Sequence, residues 1–527
     1  MDKGRNGSTN EHVDVLVVGG GISGLSAAIA ATEAGRHVLL VDAADENNRG
    51  GNTRYSIGIA RVAYDGWQDL AEMLGPDAPG DRAPVVPYPS ARYHADLARA
   101  AKGHGNPVLQ RIVAEGSAAL VTWLRDHGVR WTVTPFRFGR DPQQPDTPPA
   151  LPPGAPLMAT GGGAGVVDAL LDAARGCGVR VRFGAAVRAL LTGPSPGIEL
   201  DPDGATIRAA SVILAAGGFD ASSEARARYL GPGWDLARIR GSRFNTGRVL
   251  QAALKVGAAS AGHWSGVHAV ASDPDGPPWG DLGIGDVHGR YSYPYGITVN
   301  VRGERFFDEG ADEKNFTYAT VGRFIHGQPG GIAYQVFDDT TSELLEPRYA
   351  TASPCVADSV EELAEQLAVP AARLCQTIRT FNDACPPGTF DPHDLDGLAA
   401  SPEGQPRKSH WAVPLAVPPF RAYPVVPAIT FTFGGLAIDA DARVLGPAGQ
   451  PLPGLYACGD IVGGIAVHNL PAGTGMIAGG VLGRIAGESA ARSAVAATSS
   501  SPVPAGSPEE REDAGQDASQ PEKAANL

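Results

Sequence analysis

The segment 308–319, DEGADEKNFTYA, places four carboxylates and one lysine within seven residues and then turns aromatic. Lys314 either does chemistry, since an ammonium with an ordinary pKa of ~10.4 becomes easier to deprotonate when buried, or merely pairs with its neighbours. In that second reading it is an exposed lysine paired with Glu309, Asp312 or Glu313. Tyr318, four residues on, is a second candidate, with a packing role as its alternative. His268 and His468 offer imidazoles that can donate to a carbonyl or carboxylate, or simply pack or close a turn. Arg54 and Arg290 are available guanidiniums for a carboxylate, which they could grip through two parallel hydrogen bonds.

The elements that must carry them begin at the N-terminus. Residues 13–18, VDVLVV, read as a buried strand, GGGISG follows, LSAAIAATEAG has small residues at helical spacing, and HVLLVD is a second strand. The glycines at Gly19, Gly21 and Gly24 suit a tight turn, the approach of a pyrophosphate and close helix–strand packing. Asp42 ends the second strand, 18 residues after Gly24, where a carboxylate accepts bonds from ribose hydroxyls. These features predict dinucleotide binding. Far along the chain, GLYACGDIVGG ends a short strand in a glycine turn at Asp460, and GTGMIAGGVLGRIAGESAA reads as a helix. An FAD lying extended between the two ends satisfies both, the alternative being a second independent α/β unit.

Composition narrows the class. The 527 residues carry a net charge of −14, of which about four units lie in 507–523, and no basic patch points to nucleic acid. Five scattered cysteines without CxxC spacing argue against an iron–sulfur cluster, haem, metal or disulfide framework. With no apolar leader and no ~18-residue apolar run, the expectation is a cytoplasmic protein without a transmembrane segment.

Seven stretches, among them VDVLVVGGGISGLSAAIAATEAG, GGNTRYS, VILAAGGFD, RYSYPYGITVNVRGERFFDEGADEKNFTYA and GLYACGDIVGGIAVHNLPAGTGMIAGG, resemble the fumarate reductase/succinate dehydrogenase flavoprotein superfamily. Within it the chain looks most like FAD-dependent tricarballylate dehydrogenase-like proteins, with ketosteroid dehydrogenases more distant. The resemblance implies an α/β fold: a Rossmann-type, glutathione reductase-like FAD domain (12–266 and 428–494), an inserted α+β capping domain (267–427), and disordered ends (1–11 and 495–527). It implies noncovalent FAD, held also by Gly51, Asn52, Thr53, Val187, Gly217, Gly459, Asp460 and the helix start at Thr474, Gly475 and Met476.

The implied reaction moves hydride between flavin and a carbon–carbon bond beside a carboxylate or ketone. Lys314 stands near the position of the basic proton carrier of the related sequences, which by count from Arg305 and Phe306 falls at Glu313 or Lys314, and His268 matches a substrate-side histidine. Three departures matter. Phe431 and Leu470 replace the histidine and arginine with which fumarate reductases hold a carboxylate, and Arg248–Val249 interrupts a TGDG pattern. The substrate could therefore be polycarboxylate or a larger neutral enone, and a non-catalytic FAD electron-transfer subunit is the reading from another class. Reduced flavin would be reoxidised by oxygen, a quinone or a redox protein.

Overall fold

The structure, a computed structural model, describes residues 11–80, 83–138 and 148–499. The expected disordered ends fall mostly outside those residues. Two margins differ: Glu11 opens the first strand, and residues 495–499 continue the last helix, Thr474–Ser499, where the alanine-rich sequence favours helix.

One sheet organises the dinucleotide half. Its strands run in the order Arg443–Leu445, Pro451–Ala457, Thr206–Leu214, Glu11–Val18, Val38–Val41 and Arg180–Arg182, parallel except at the first pair. Val15, Leu16 and Val17 have no exposed surface, as an unbroken apolar run in a parallel sheet buried on both faces requires. Helix Ile22–Glu33 follows the first strand. It lies against Thr474–Ser499 so closely that a Cβ on Gly483 would come 2.4 Å from the Ser23 carbonyl oxygen. The two ends of the chain therefore meet.

The second half is built on Phe420–Leu436, a 17-residue strand that pairs with Ser260–Ser272, Ala333–Phe337, Cys355–Ala357 and Arg238–Ile239. Its separate core gathers Ile297, Val299, Val336, Leu363, Leu374, Ile378 and Phe381. Helices Val360–Leu367 and Ala371–Asp383 supply four of these. The anticipated boundaries at 266/267 and 427/428 fall inside the antiparallel ribbon of Ser260–Ser272 and Phe420–Leu436. The halves are thus joined by continuous strands, whose register sets His268 opposite Phe431. Helix Lys314–His326 packs on that ribbon, with Gly322 against Ala269 and Val270.

Candidate active site

A cavity of about 550 Å³ runs along the junction of the two halves, lined by residues from both. At its dinucleotide end the first strand stops at Gly19, whose φ is +111°. A Cβ on Gly24 would lie 1.9 Å from the Gly19 carbonyl oxygen, so the turn tolerates only glycine there. Thr53 Oγ1 accepts from the Ile22 amide at 3.1 Å, at the start of the helix that opens on the cavity. Asp42 accepts from the Gly20 and Ala44 amides at 2.7 and 2.8 Å. Burial raises its pKa against those two bonds, and a carboxylate with about four lone-pair sites retains capacity for a ligand hydroxyl.

Val187, Gly217, Gly51, Asn52, Gly475 and Met476 line the same cavity. Asn52 is also a staple: its amide donates to the Thr430 carbonyl at 2.7 Å and accepts from the Ser242 amide at 2.8 Å. Asp460 reaches the wall too, and burial alone pushes it up to about 6. The other anticipated positions stand back. Gly459 and Leu470 border a small adjoining cavity, with Asp460, Phe431 and Gly475 common to both. Thr474 is buried and accepts from the Tyr93 hydroxyl at 3.2 Å. Arg248 and Val249, the interrupted pattern, open helix Arg248–Lys255 and line the cavity, Arg248 also pairing with Asp201 at 3.0 Å.

At the other end, His268 Nε2 lies 3.1 Å from the Tyr318 hydroxyl, their rings edge to face, and Phe431 packs on the imidazole at 4.9 Å between ring centres. Burial, helped by the Arg240 charge, pushes His268 down to about 3, so its ring is neutral. Burial likewise raises Tyr318. Beside them runs a ladder of alternating charge that sequence reasoning missed. Arg240 grips Asp286 through both oxygens, one bond measuring 3.0 Å, and Arg348 bonds Asp286 at 2.9 Å. Arg348 also pairs with Glu346 at 2.9 Å, and Glu346 with Lys314. All five line the cavity. Three cations against two carboxylates leave one surplus positive charge. Burial raises Asp286, but the two guanidiniums outweigh it and hold it at about 2.

Lys314 pairs with Glu346, 32 residues away, and its side chain is 26 % exposed on the cavity. The nearby acids anticipated as partners are engaged elsewhere, Glu309 with Arg305 and Asp312 with Arg99. The two arginines singled out as anchors are corrected. Arg54 pairs with Asp168 at 2.8 Å, and Arg290 is fully buried against Asp273 and three backbone carbonyls; neither lines the cavity. His468 is also displaced from it, its ring lying against those of His104 and His263 while its carbonyl accepts from Arg323 at 2.7 Å.

The cavity fits FAD on its own terms. It is continuous from the glycine turn and Asp42 to the start of the terminal helix, and it holds a buried carboxyl, Asp460, raised by burial with no cation or hydrogen bond offsetting it. The FAD binding domain family matches residues 14–476. The chain belongs to that family. It is a flavoprotein of the fumarate reductase/succinate dehydrogenase superfamily, FAD is its cofactor, and it is an oxidoreductase acting on carbon–carbon bonds.

Among the relatives, NADH:acrylate oxidoreductase of Vibrio harveyi is 31 % identical over 53 % of this chain and only 26 % of its own length. Probable fumarate reductase Ifc3 of Shewanella frigidimarina is 26 % identical over 92 % of this chain and 76 % of its own. The open conformation of a flavocytochrome c3 fumarate reductase superposes with a TM-score of 0.69 at 25 % identity, over 93 % of this chain and 79 % of that one. Among the described residues no helix is long and apolar enough to cross a membrane, and no cluster of His, Cys, Asp or Glu could hold a metal ion.

Proposed function

We propose that this flavoprotein moves a hydride and a proton across a carbon–carbon bond flanked by a single carboxylate or a ketone, on a substrate with an apolar body. The observation that carries this reading is the ladder Arg240, Asp286, Arg348, Glu346, Lys314, with one surplus positive charge facing a wall that includes Tyr291, Tyr295, Trp411 and Phe431. A monoanion neutralises that surplus. Tricarballylate would set three carboxylates against it, and charges left unpaired in a buried site are costly, so a polycarboxylate is the poorer fit. A relative named for acrylate, itself a monocarboxylate, supports the choice.

Bound FAD supplies the two-electron chemistry. Asp42 and the Gly19–Gly21 turn would hold its adenosine and pyrophosphate, and Asp460 with the start of helix Thr474–Ser499 its flavin half, where the positive end of a helix favours the negative charge of the reduced ring. Noncovalent binding is part of this reading. Arg240 and Arg348 receive the substrate oxygen on which negative charge develops as the bond reacts. Tyr318 and the neutral His268 add hydrogen-bonding partners beside that oxygen, and Lys314 extends the positive surface. Electrons enter or leave through a quinone, a redox protein or oxygen.

The test is anaerobic. Protein reduced with dithionite is mixed with cinnamate, a neutral aryl enone, fumarate or aconitate, and reappearance of oxidised-flavin absorbance is followed. Cinnamate or the enone should reoxidise the protein at least about tenfold faster than fumarate or aconitate, a difference of ~1.4 kcal/mol. Preference for either polycarboxylate would overturn the charge argument.

A further inference from the structure

We propose that Glu313 is the acid that protonates the substrate carbon next to the one receiving hydride, and that Arg61 is its positioning residue. The inference rests on the carbon–carbon bond chemistry proposed above. Glu313 directly precedes helix Lys314–His326, but its side chain does not cap that helix; it turns inward, is 7 % exposed and lines the cavity. Its Oε1 accepts from the Asn315 side-chain amide. The Asn315 carbonyl accepts from the Ala472 amide at 2.9 Å, and the Ala472 carbonyl accepts from Arg61 Nε at 2.8 Å. These bonds fix the carboxyl where the cavity meets the start of helix Thr474–Ser499, the flavin end of the site.

Arg61 is fully buried and forms no direct ion pair among the described residues. Its Nη1 donates to the Tyr88 hydroxyl at 3.0 Å, which donates to Asp96 at 2.8 Å, and its Nη2 has no hydrogen-bond partner among the described residues. Its uncompensated charge therefore acts on Glu313. Burial pushes Glu313 up to about 7, opposed by Arg61, the Asn315 bond and Lys314, while Asp312 pushes it further up. Tyr64, Tyr88 and Tyr295, the other titratable groups nearby, are all raised by burial and neutral. A carboxyl balanced near neutrality suits general acid–base work. Lys314 is less suited, because its ammonium is held in the ion pair with Glu346.

In reduction, bound FAD would supply the hydride that makes one C–H bond as the substrate π bond breaks. The electron pair left on the neighbouring carbon and its conjugated oxygen takes the Glu313 proton, making the second C–H bond and leaving a carboxylate that solvent reprotonates. Dehydrogenation reverses each transfer.

The proposal is tested on the FAD-loaded protein with Glu313→Gln, Glu313→Asp and Arg61→Gln. Infrared titration, independent of turnover, should show a protonated carboxyl band lost as pH rises through about 7 in the unaltered protein and missing from Glu313→Gln. The reduction rate should fall above that midpoint and the dehydrogenation rate below it. Glu313→Gln should lose about 10²- to 10⁴-fold in rate with flavin still bound and reducible, Glu313→Asp should restore part of it, and Arg61→Gln should move the midpoint upward. Turnover by Glu313→Gln with an unchanged pH profile would overturn the proposal, as would the absence of the carboxyl band. Failure of the unaltered protein to act on any of the four substrates would overturn only the substrate reading, since the infrared titration still decides whether Glu313 holds a proton near neutrality.

Discussion

Replacing Asp286 by Asn tests the charge ladder most directly. The carboxylate is fully buried and takes bonds from both Arg240 and Arg348. Its fall from 3.8 to about 2 corresponds to roughly 2 kcal/mol of stability at neutral pH. Because asparagine also leaves the buried Arg240 without its counter-ion and Arg348 with Glu346 alone, the loss should approach the 3–5 kcal/mol typical of a broken buried pair. The sign with pH follows from a depressed folded-state value. Asp286 contributes fully above its unfolded value of 3.8, and that contribution is lost as pH falls toward about 2, so the variant and the parent should converge in acid. Urea unfolding measures this. Ligand binding supplies the second arm: the surplus rises from one positive charge to two, and a second ligand carboxylate at ~5 Å would gain up to ~3 kcal/mol at an effective dielectric near 20. Fumarate should therefore improve relative to cinnamate by at least about tenfold, read from quenching of flavin fluorescence. Unchanged stability within about 1 kcal/mol, with an unchanged binding ratio, would refute the reasoning.

Three further outcomes are expected. Lys314→Met reduces the ladder's surplus charge to zero, so KM for an anionic substrate should rise about tenfold or more with flavin content unchanged; steady-state kinetics with cinnamate and the enone would show whether the effect is confined to the anion. Gly24→Ala would force a methyl group against the Gly19 carbonyl oxygen, and the purified variant should be poor in flavin by absorbance ratio and unfold at lower temperature. His268, held down to about 3 against an ordinary 6.5, stays neutral in the fold while the unfolded chain takes up its proton. Stability should thus decline as pH falls through that window by up to ~1.4 kcal/mol per pH unit, and His268→Gln should flatten the decline in urea titrations from pH 6.5 to 4.

The dinucleotide unit was legible in the linear sequence because its determinants are local. An apolar run, a glycine turn whose atoms almost touch one another, a small-residue helix and Asp42 all lie within 30 residues, and each is constrained by its neighbours in the chain. The pairing of the two chain ends was legible for the same reason, since each end carries its own glycine-rich motif. His268 and Tyr318 could be singled out, though only the ribbon and helix Lys314–His326 bring them 3.1 Å apart. The charges were decided by tertiary structure. Arg54 and Arg290 look no different in sequence from Arg240 and Arg348, and what separates them is which carboxylate the fold sets beside each: Asp168 and Asp273 away from the cavity, Asp286 and Glu346 on its wall. Those partners lie between 2 and 114 residues away along the chain, so no spacing rule could report them. The same holds for Lys314, whose neighbours Glu309 and Asp312 are drawn off by other arginines and whose partner comes from a distant loop. Sequence determined that the chain takes FAD and what class of chemistry it serves; the fold alone determined which charges remain to meet a substrate.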